Sequence, residues 1–285
     1  MDSDVASTAR VTAALRAGET ARANALFQDP WAAALAGPDL LATFAAQPPD
    51  IQDRASSYTI IRTRVFDDWL LSTGSPQVVL LGAGFDTRAF RLGWPTGFQV
   101  WELDHAKVLD AKEAAMTGVP TRSGCTRRAV AADLADEEWP TALMTAEFRP
   151  EVPTAWLAEG VLPYLQPHTV ETLVRLVSGL SASGSRFAAD FVSTGFMAAR
   201  NAYLATVNQP INSARGAVFC FGTNDPAALL THHGWGVTSV KHPGDHDADF
   251  GRWVGPQNMA AGFFFVMAVR PLPASSYEPS SDASG

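Results

Sequence analysis

Residues 78–92 read VVLLGAGFDTRAFRL, and this stretch decides the fold. Four apolar residues lead into Gly82-Ala83-Gly84, and Asp86 then precedes a segment with helical character. A glycine loop that leaves a buried strand is typical of an α/β unit that binds a nucleotide-like ligand. We interpret Arg88 and Arg91 as the outer face of the helix that follows. The stretch therefore predicts a cofactor loop at the carboxyl end of a first strand.

Downstream of Pro76, short apolar runs alternate with segments of helical periodicity. Near-continuous apolar strands joined by helices predict an α/β fold with a doubly wound, mostly parallel sheet. Near the end of the chain, a short apolar AVFCF comes first, and GVTSVKH and AGFFFVMAVR then form two closing strands at an antiparallel end of the sheet. The five earlier strand candidates are QVVLLGAG, FQVWELD, RRAVAADL, PTAWLAEG and SRFAADFV.

The first 74 residues have a helical pattern and predict an N-terminal cap. Asp29-Pro30 predicts a helix start with an N-cap aspartate, and a further helix ends at Gly74. The expected organisation is a cap over 1–74, a core over 75–271 with a cap insertion near 194–224, and a disordered Pro/Ser-rich tail over 272–285.

The bulk properties favour a cytoplasmic protein. The 285 residues are 47% hydrophobic with a net charge of −8, and the basic residues are scattered, so a nucleic-acid partner is disfavoured. No signal peptide is visible, and the longest apolar run, 262–269, is far shorter than the roughly 20 residues that span a bilayer. Cys125 and Cys220 form no CxxC or zinc spacing, which favours reduced thiols.

Four successive predicted strands end in glycines or acids. The first ends in the glycine loop, and the next three end in Asp104, Asp133 and Glu159. Parallel strands bring their carboxyl ends to one edge of the sheet, where ligands of such folds bind. These residues therefore form the candidate site.

The loop disfavours a dinucleotide. Thr87 stands where G-x-G-x-x-G needs its third glycine, and Asp86 would repel a diphosphate. A ligand with a cationic amino-acid end and a ribose fits better, and S-adenosylmethionine is such a ligand. Asp104, or alternatively Glu102, would accept the ribose hydroxyls, while Asp133 would accept from the adenine amino group and Leu134 would pack on the ring.

The linked motifs VVLLGAGFDTRAFRL, VWELDHAKVLDAK, RRAVAADL and PTAWLAEGVLPYL resemble the leucine carboxyl methyltransferase family. The likeness extends over residues 8 to 270 and is greatest to the bacterial polyketide-type O-methyltransferases and actinobacterial methyltransferases. It implies a seven-stranded Rossmann-like class I methyltransferase core with a helical cap, with S-adenosylmethionine as cofactor and S-adenosylhomocysteine as product.

The resemblance also implies roles for individual residues. Arg62, in IIRTRVFDD, corresponds to the arginine that pairs with the methionine carboxylate or with a substrate carboxylate, and Arg16 is the candidate for the family's cap cation. The implied cofactor residues are Arg62, Gly82, Gly84, Asp104, Asp133, Leu134 and Glu159.

To catalyse methyl transfer, the enzyme mainly has to position the nucleophile near the methyl group and exclude water. A carboxylate acceptor needs no general base, and no residue stands out as one, so we expect O-methylation of a carboxylate on a small metabolite. A hydroxyl acceptor in secondary metabolism is the alternative. Arg62 and Tyr164 are the candidate catalytic residues. Tyr203, Asn208 and Trp253 lie in the region expected to cover the pocket, but a core or surface role is favoured for them.

Other functions have weaker support. The run from His242 to Asp249 is rich in His and Asp but has no second cluster, so we favour a solvated loop and predict no metal. No nucleophile elbow or P-loop motif is present. A nicotinamide-dependent oxidoreductase and a non-catalytic binding module remain as rivals, and the oligomeric state is left open.

Overall fold

The computed structural model describes residues 2–120, 124–206 and 218–272, with side chains from Ser7 onward. Within these ranges, seven strands form one sheet in the order β3-β2-β1-β4-β5-β7-β6. The strands are β1 (Gln77–Leu81), β2 (Phe98–Asp104), β3 (Cys125–Ala131), β4 (Thr154–Ala158), β5 (Arg186–Val192), β6 (Gly236–Lys241) and β7 (Phe263–Val269).

The pairing confirms the predicted mostly parallel sheet. β1 runs parallel to both β2 and β4, with Leu81 opposite Leu103 and Leu80 opposite Leu157. β3 and β5 extend the parallel part on either side, and β7 pairs antiparallel with both β5 and β6. The chain order reverses between β1 and β4, and ligands bind beyond the strand ends at such a switch point.

Helices cover both faces of the sheet. They are α1 (Asp2–Thr20), α2 (Ala32–Ala36), α3 (Pro38–Ala45), α4 (Pro49–Ser72), α5 (Arg88–Arg91), α6 (Ala106–Ala115), α7 (Trp139–Thr145), α8 (Pro167–Gly179), α9 (Thr194–Thr206), α10 (Pro226–His232) and α11 (Gln257–Ala260). The predicted stop at Gly74 is confirmed, since α4 ends at Ser72 and Gly74 has a φ of +64° that glycine adopts readily.

The core has two layers because successive residues of β1 face opposite sides. Val78 and Leu80 pack in a cluster with residues of α1, α4 and α6. Val79 and Leu81 pack in a second cluster with residues of α7, α8 and α10. A strand buried on both faces reads as the continuous apolar run seen in the sequence.

One local prediction was wrong. The helix after Asp29-Pro30 begins only at Ala32, and the Asp29 carboxylate instead accepts hydrogen bonds from Arg16 at 2.8 Å and Thr87 at 2.7 Å. A charge-assisted hydrogen bond from a guanidinium stabilises a buried carboxylate more than a hydrogen bond from a backbone amide at a helix start. The described part of AVFCF, residues 218–221, forms no strand.

Some expectations fall on residues outside the described ranges. These residues are 207–217 in the expected cap insertion, which include Asn208, and 273–285 in the expected tail. In the ranges that are described, no helix has both the length and the apolar character needed to cross a bilayer.

Candidate functional site

A cavity of about 740 Å³ lies at the carboxyl edge of the parallel strands. Its lining residues come from segments as distant in the chain as Thr8 and Cys220, and β1 to β4 all end at this edge. All the candidate cofactor and catalytic residues line it: Arg62, Gly82, Gly84, Asp104, Asp133, Leu134, Glu159 and Tyr164.

The glycine loop is shaped by backbone conformation and by a close neighbour. Gly82 and Gly84 have φ values of +66° and +49°, where other residues are strained. A Cβ on Gly82 would lie 2.7 Å from Cγ2 of Val161, the residue that precedes a 3₁₀ turn after β4. The loop therefore offers bare backbone to the cavity.

Asp104 and Glu102 have separate environments at the end of β2. Asp104 accepts hydrogen bonds from the amides of Gly84 and His105, each at 2.7 Å, and lines the cavity. Burial raises its pKa, and these two bonds oppose the rise. Glu102 is fully buried beside Lys112 at 2.6 Å and Arg127 at 2.7 Å. Of the two acids, Asp104 is the one placed to meet a ligand.

The end of β3 forms one side of the cavity. Asp133 is exposed, and its Oδ1 accepts the amide hydrogen of Ala135 at 2.8 Å. Leu134 beside it is buried yet lines the cavity. A polar acceptor next to an apolar surface suits a heteroaromatic ring with an exocyclic amine.

Arg62 enters the site from α4 and meets two acids. Its Nε donates to Glu159 at 3.0 Å, and its Nη1 donates to Asp190 at 2.9 Å. Burial alone would lower the pKa of Arg62, but Asp190 and Glu159 hold it above its ordinary value. Arg62 is therefore charged and fixed on two sides.

The prediction that Arg88 and Arg91 form the outer face of a helix was wrong. The side chains of both are buried, at 3% and 4% exposure, because α5 is a single turn packed against Asp67 of α4. Arg88 Nε lies 2.7 Å from Asp67, its Nη2 lies 2.7 Å from Glu159, and its Nη1 pairs with Asp86. Arg91 binds Asp67 through two nitrogens, at 2.6 and 2.8 Å.

The pairing of Asp86 weakens one argument made from the sequence. Burial would raise its pKa, but Arg88, with Lys112 beyond, lowers the pKa to about 2. The charge of Asp86 is thus balanced by Arg88 next to it, so it repels a phosphate less than the sequence suggested. The missing third glycine remains as the sequence argument against a dinucleotide.

Tyr164 lies in the 3₁₀ turn Leu162–Tyr164 and lines the cavity. Its ring meets the edge of Phe219 at 5.1 Å. Burial and Asp190 raise the pKa of Tyr164, while Arg200 and Arg62 lower it. Tyr164 thus brings a hydroxyl group and an aromatic ring to this part of the cavity.

Tyr203 and Trp253 do not line the cavity, in agreement with the core or surface role favoured from the sequence. Tyr203 on α9 is 63% exposed, and the Trp253 ring packs with its centroid 6.4 Å from that of Phe263, away from the cavity wall.

In the run from His242 to Asp249, the Asp245 carboxylate accepts the amide hydrogen of His242. Among the described side chains, no group of three or more His, Cys, Asp or Glu could hold a metal ion.

Sequence reasoning missed the acids that hold the arginines, Asp67 and Asp190. Both are buried, at 3% and 2% exposure. A signal existed for Asp190, since it is a charge inside the apolar run RFAADFV, and a buried charge is rarely unpaired. Arg16, the candidate cap cation, lines the cavity from α1, and sequence reasoning missed Thr8, Ala9 and Thr12 of the same helix.

Comparison with known proteins agrees with this architecture. The sequence profile described as leucine carboxyl methyltransferase matches residues 9–178. A protein of Saccharopolyspora erythraea named "Putative S-adenosyl-L-methionine-dependent methyltransferase" is 38% identical over 250 residues, covering 82% of this chain and 84% of the relative. A relative of the same description from Streptomyces avermitilis is 40% identical over 248 residues, covering 83% and 85%.

The solved structures show the same fold. A DUF574 family protein from Streptomyces avermitilis superposes with a TM-score of 0.58 at 15% identity, covering 91% of this chain and 97% of that one. Fold and sequence thus define a Rossmann-like class I methyltransferase with N-terminal helices. The chain belongs to the leucine carboxyl methyltransferase family, which uses S-adenosylmethionine as methyl donor.

Proposed function

We propose that this protein transfers a methyl group from S-adenosylmethionine to an oxygen atom of a small molecule, and that the acceptor oxygen belongs to a carboxylate. The observation that carries the proposal is the single cavity in which the glycine loop, three strand-end acids and Arg62 meet. The name of the matched family, a carboxyl methyltransferase, supports the choice of acceptor.

The amino-acid end of the cofactor fits two charged groups that line the cavity. The Glu159 side chain is 15% exposed, with Oε1 accepting from Arg62 Nε at 3.0 Å and Oε2 paired with Arg88 Nη2 at 2.7 Å. Arg62 Nη2 donates to none of the described residues, while the other two nitrogens of its guanidinium are bonded. Glu159 would accept from the ammonium group, and Arg62 would donate to the carboxylate.

The nucleoside end fits the other side of the cavity. Asp104 would accept both ribose hydroxyls while keeping its bond to the Gly84 amide. Asp133 would accept from the adenine amine, and Leu134 would pack on the ring. Gly82 and Gly84 would let the ligand approach the backbone closely, because neither carries a Cβ.

Catalysis would then depend on placement rather than on proton transfer. When bound, the cofactor supplies an electrophilic methyl group on a sulfonium. The chain holds the acceptor in line with that methyl and excludes water, with α1 residues Thr8 and Ala9 closing one side of the cavity. Tyr164 would contact the acceptor.

A carboxylate acceptor suits the pairing of the acids at the site. Asp86 and Glu159 both pair with Arg88, so neither is placed to act as a general base. An ionised carboxylate needs no base. A phenol or alcohol of secondary metabolism is the second candidate, since the apolar wall at Val161 and Leu165 would accept a ring.

Methyl-labelled S-adenosylmethionine tests the acceptor. The enzyme is incubated with matched panels of small carboxylic acids and of phenols, and the products are treated with mild base. Methyl esters release volatile labelled methanol, whereas methyl ethers keep the label. We expect base-labile product from the acid panel; base-stable product from the phenols alone would move the assignment to a hydroxyl acceptor.

Two measurements separate the rival functions: formation of S-adenosylhomocysteine and stabilisation of the protein against heat by added ligands. A binding-only module would bind S-adenosylmethionine without forming S-adenosylhomocysteine with any acceptor. A nicotinamide enzyme would be stabilised against heat by NADH and not by S-adenosylmethionine or S-adenosylhomocysteine. We expect stabilisation by S-adenosylhomocysteine and turnover with an acid.

A further inference from the structure

Asp190 is a buried acid in the otherwise apolar strand β5. It is 2% exposed and makes three hydrogen bonds. Its Oδ1 accepts the amide hydrogen of Gly160 at 2.6 Å, and its Oδ2 accepts from the Tyr58 hydroxyl at 2.6 Å and from Arg62 Nη1 at 2.9 Å. The carboxylate thus joins α4, β5 and the turn after β4.

The sheet register explains why these groups meet. Ala158 lies opposite Ala189 in the parallel β4–β5 pair, so Asp190 stands level with Glu159 as β4 ends. The chain turns at Gly160 with a φ of +67°, and a Cβ at this position would lie 2.9 Å from Arg62 Nη1. Only a glycine allows the guanidinium, the turn and the carboxylate to pack so closely.

Asp190 does not line the cavity, but both residues proposed for the amino-acid end of the cofactor depend on it. It binds Arg62 directly, and it binds the amide that follows Glu159. With Nη1 held by Asp190 and Nε held by Glu159, Nη2 is the guanidinium nitrogen left for a ligand.

We propose that Asp190 is a positioning residue, which sets Arg62 and the Glu159–Gly160 turn for the α-amino and α-carboxylate groups of the cofactor. The inference rests on the proposed function of this cavity. It predicts that the loss of the Asp190 charge affects recognition of the amino-acid end and spares recognition of the nucleoside end.

Tyr58 offers a matched control. Its hydroxyl donates to the same oxygen of Asp190, but Tyr58 is not among the cavity-lining residues. Burial and the neighbouring Asp190 raise the pKa of Tyr58, so it stays a neutral donor. Tyr58→Phe removes one bond from the carboxylate and leaves the pair with Arg62 intact.

Calorimetric titration with two ligands tests the inference. S-adenosylhomocysteine carries the amino-acid end, and 5′-methylthioadenosine lacks it. For Asp190→Asn we expect binding of S-adenosylhomocysteine to weaken about tenfold or more, with binding of 5′-methylthioadenosine within about twofold of wild type. Tyr58→Phe should leave both affinities within about twofold. Unchanged affinity for S-adenosylhomocysteine in Asp190→Asn, or an equal loss for both ligands, would overturn the inference.

A second pair of variants tests the inference if Asp190→Asn fails to fold. Arg62→Met and the double variant Arg62→Met/Asp190→Asn remove one and both members of the buried pair, and the double variant avoids leaving an unpaired charge. The asparagine of the double variant can still accept the Gly160 amide hydrogen, so only the pairing with Arg62 is lost and both variants should bind S-adenosylhomocysteine equally. A double variant that binds tenfold more weakly than Arg62→Met would contradict the inference. Wild-type protein that binds neither ligand would instead count against the proposed function.

Discussion

The amide of Gly84 donates a hydrogen bond of 2.7 Å to Oδ2 of Asp104. This bond joins the glycine loop after β1 to the acid at the end of β2. It fixes the distance between the two parts of the cavity wall that would meet a ribose. The loop and the acid therefore act as one preformed surface, which favours tight binding because little has to be ordered when the ligand arrives.

Asp104→Ala should weaken cofactor binding. Two hydrogen bonds from the ribose hydroxyls to a carboxylate contribute together roughly 2–4 kcal/mol. Calorimetric titration with S-adenosylhomocysteine measures the loss. Asp110→Ala, at an exposed position of α6, is the matched control and should bind as wild type does. Wild-type affinity in Asp104→Ala would remove Asp104 from the ribose site.

Cofactor affinity should fall as the pH is lowered. The carboxylate of Asp104 must be ionised to accept two hydroxyl hydrogens, and burial raises its pKa above the ordinary 3.8. Affinity should therefore be constant near neutral pH and decline as the pH falls through this raised value. In Asp104→Asn the decline should be shallower, because the titrating group is gone. Parallel pH curves for the two proteins would show that another group controls binding.

Arg88→Met should destabilise the fold. The substitution leaves Asp67, Asp86 and Glu159 without a shared cation in a buried setting, and breaking a buried ion pair costs about 3–5 kcal/mol. Urea unfolding measures the change. Arg175→Met breaks an exposed pair with Glu137 and should cost at most about 1 kcal/mol. Equal effects of the two substitutions would argue against the buried network as a source of stability.

Gly82→Ala should impair both folding and binding. The new methyl group would meet Val161 at 2.7 Å, and the φ of +66° alone costs an alanine about 1–2 kcal/mol. Thermal melting and S-adenosylhomocysteine titration give the two readouts. Gly179→Ala, at the end of α8 with open space around it, is the control and should be neutral in both. A Gly82→Ala protein with wild-type melting and affinity would show that the loop has room to adjust.

The parts of the site that could be predicted are those set by the strands. The predictable residues follow apolar runs directly: Gly82, Asp104, Asp133 and Glu159. A parallel sheet brings the ends of its strands to one edge regardless of how the helices pack. Its position as the last strand residue favours Asp104 over Glu102 from the sequence alone, and the pairing of Glu102 with Lys112 and Arg127 favours the same choice.

The parts that could not be predicted depend on contacts between distant segments. Arg88 and Arg91 look like surface residues by helical periodicity, but α5 is one turn and packs under α4. Their partner Asp67 is more than twenty residues earlier, and no local pattern indicates the pair. The same holds for Asp29, which looks like a helix cap and instead binds Arg16.

The most direct test of the central claim is calorimetric titration of the wild-type protein with S-adenosylhomocysteine and, separately, with NADH. The cavity predicts saturable binding of one S-adenosylhomocysteine per chain and no binding of NADH. Binding of NADH with no binding of S-adenosylhomocysteine would contradict the account.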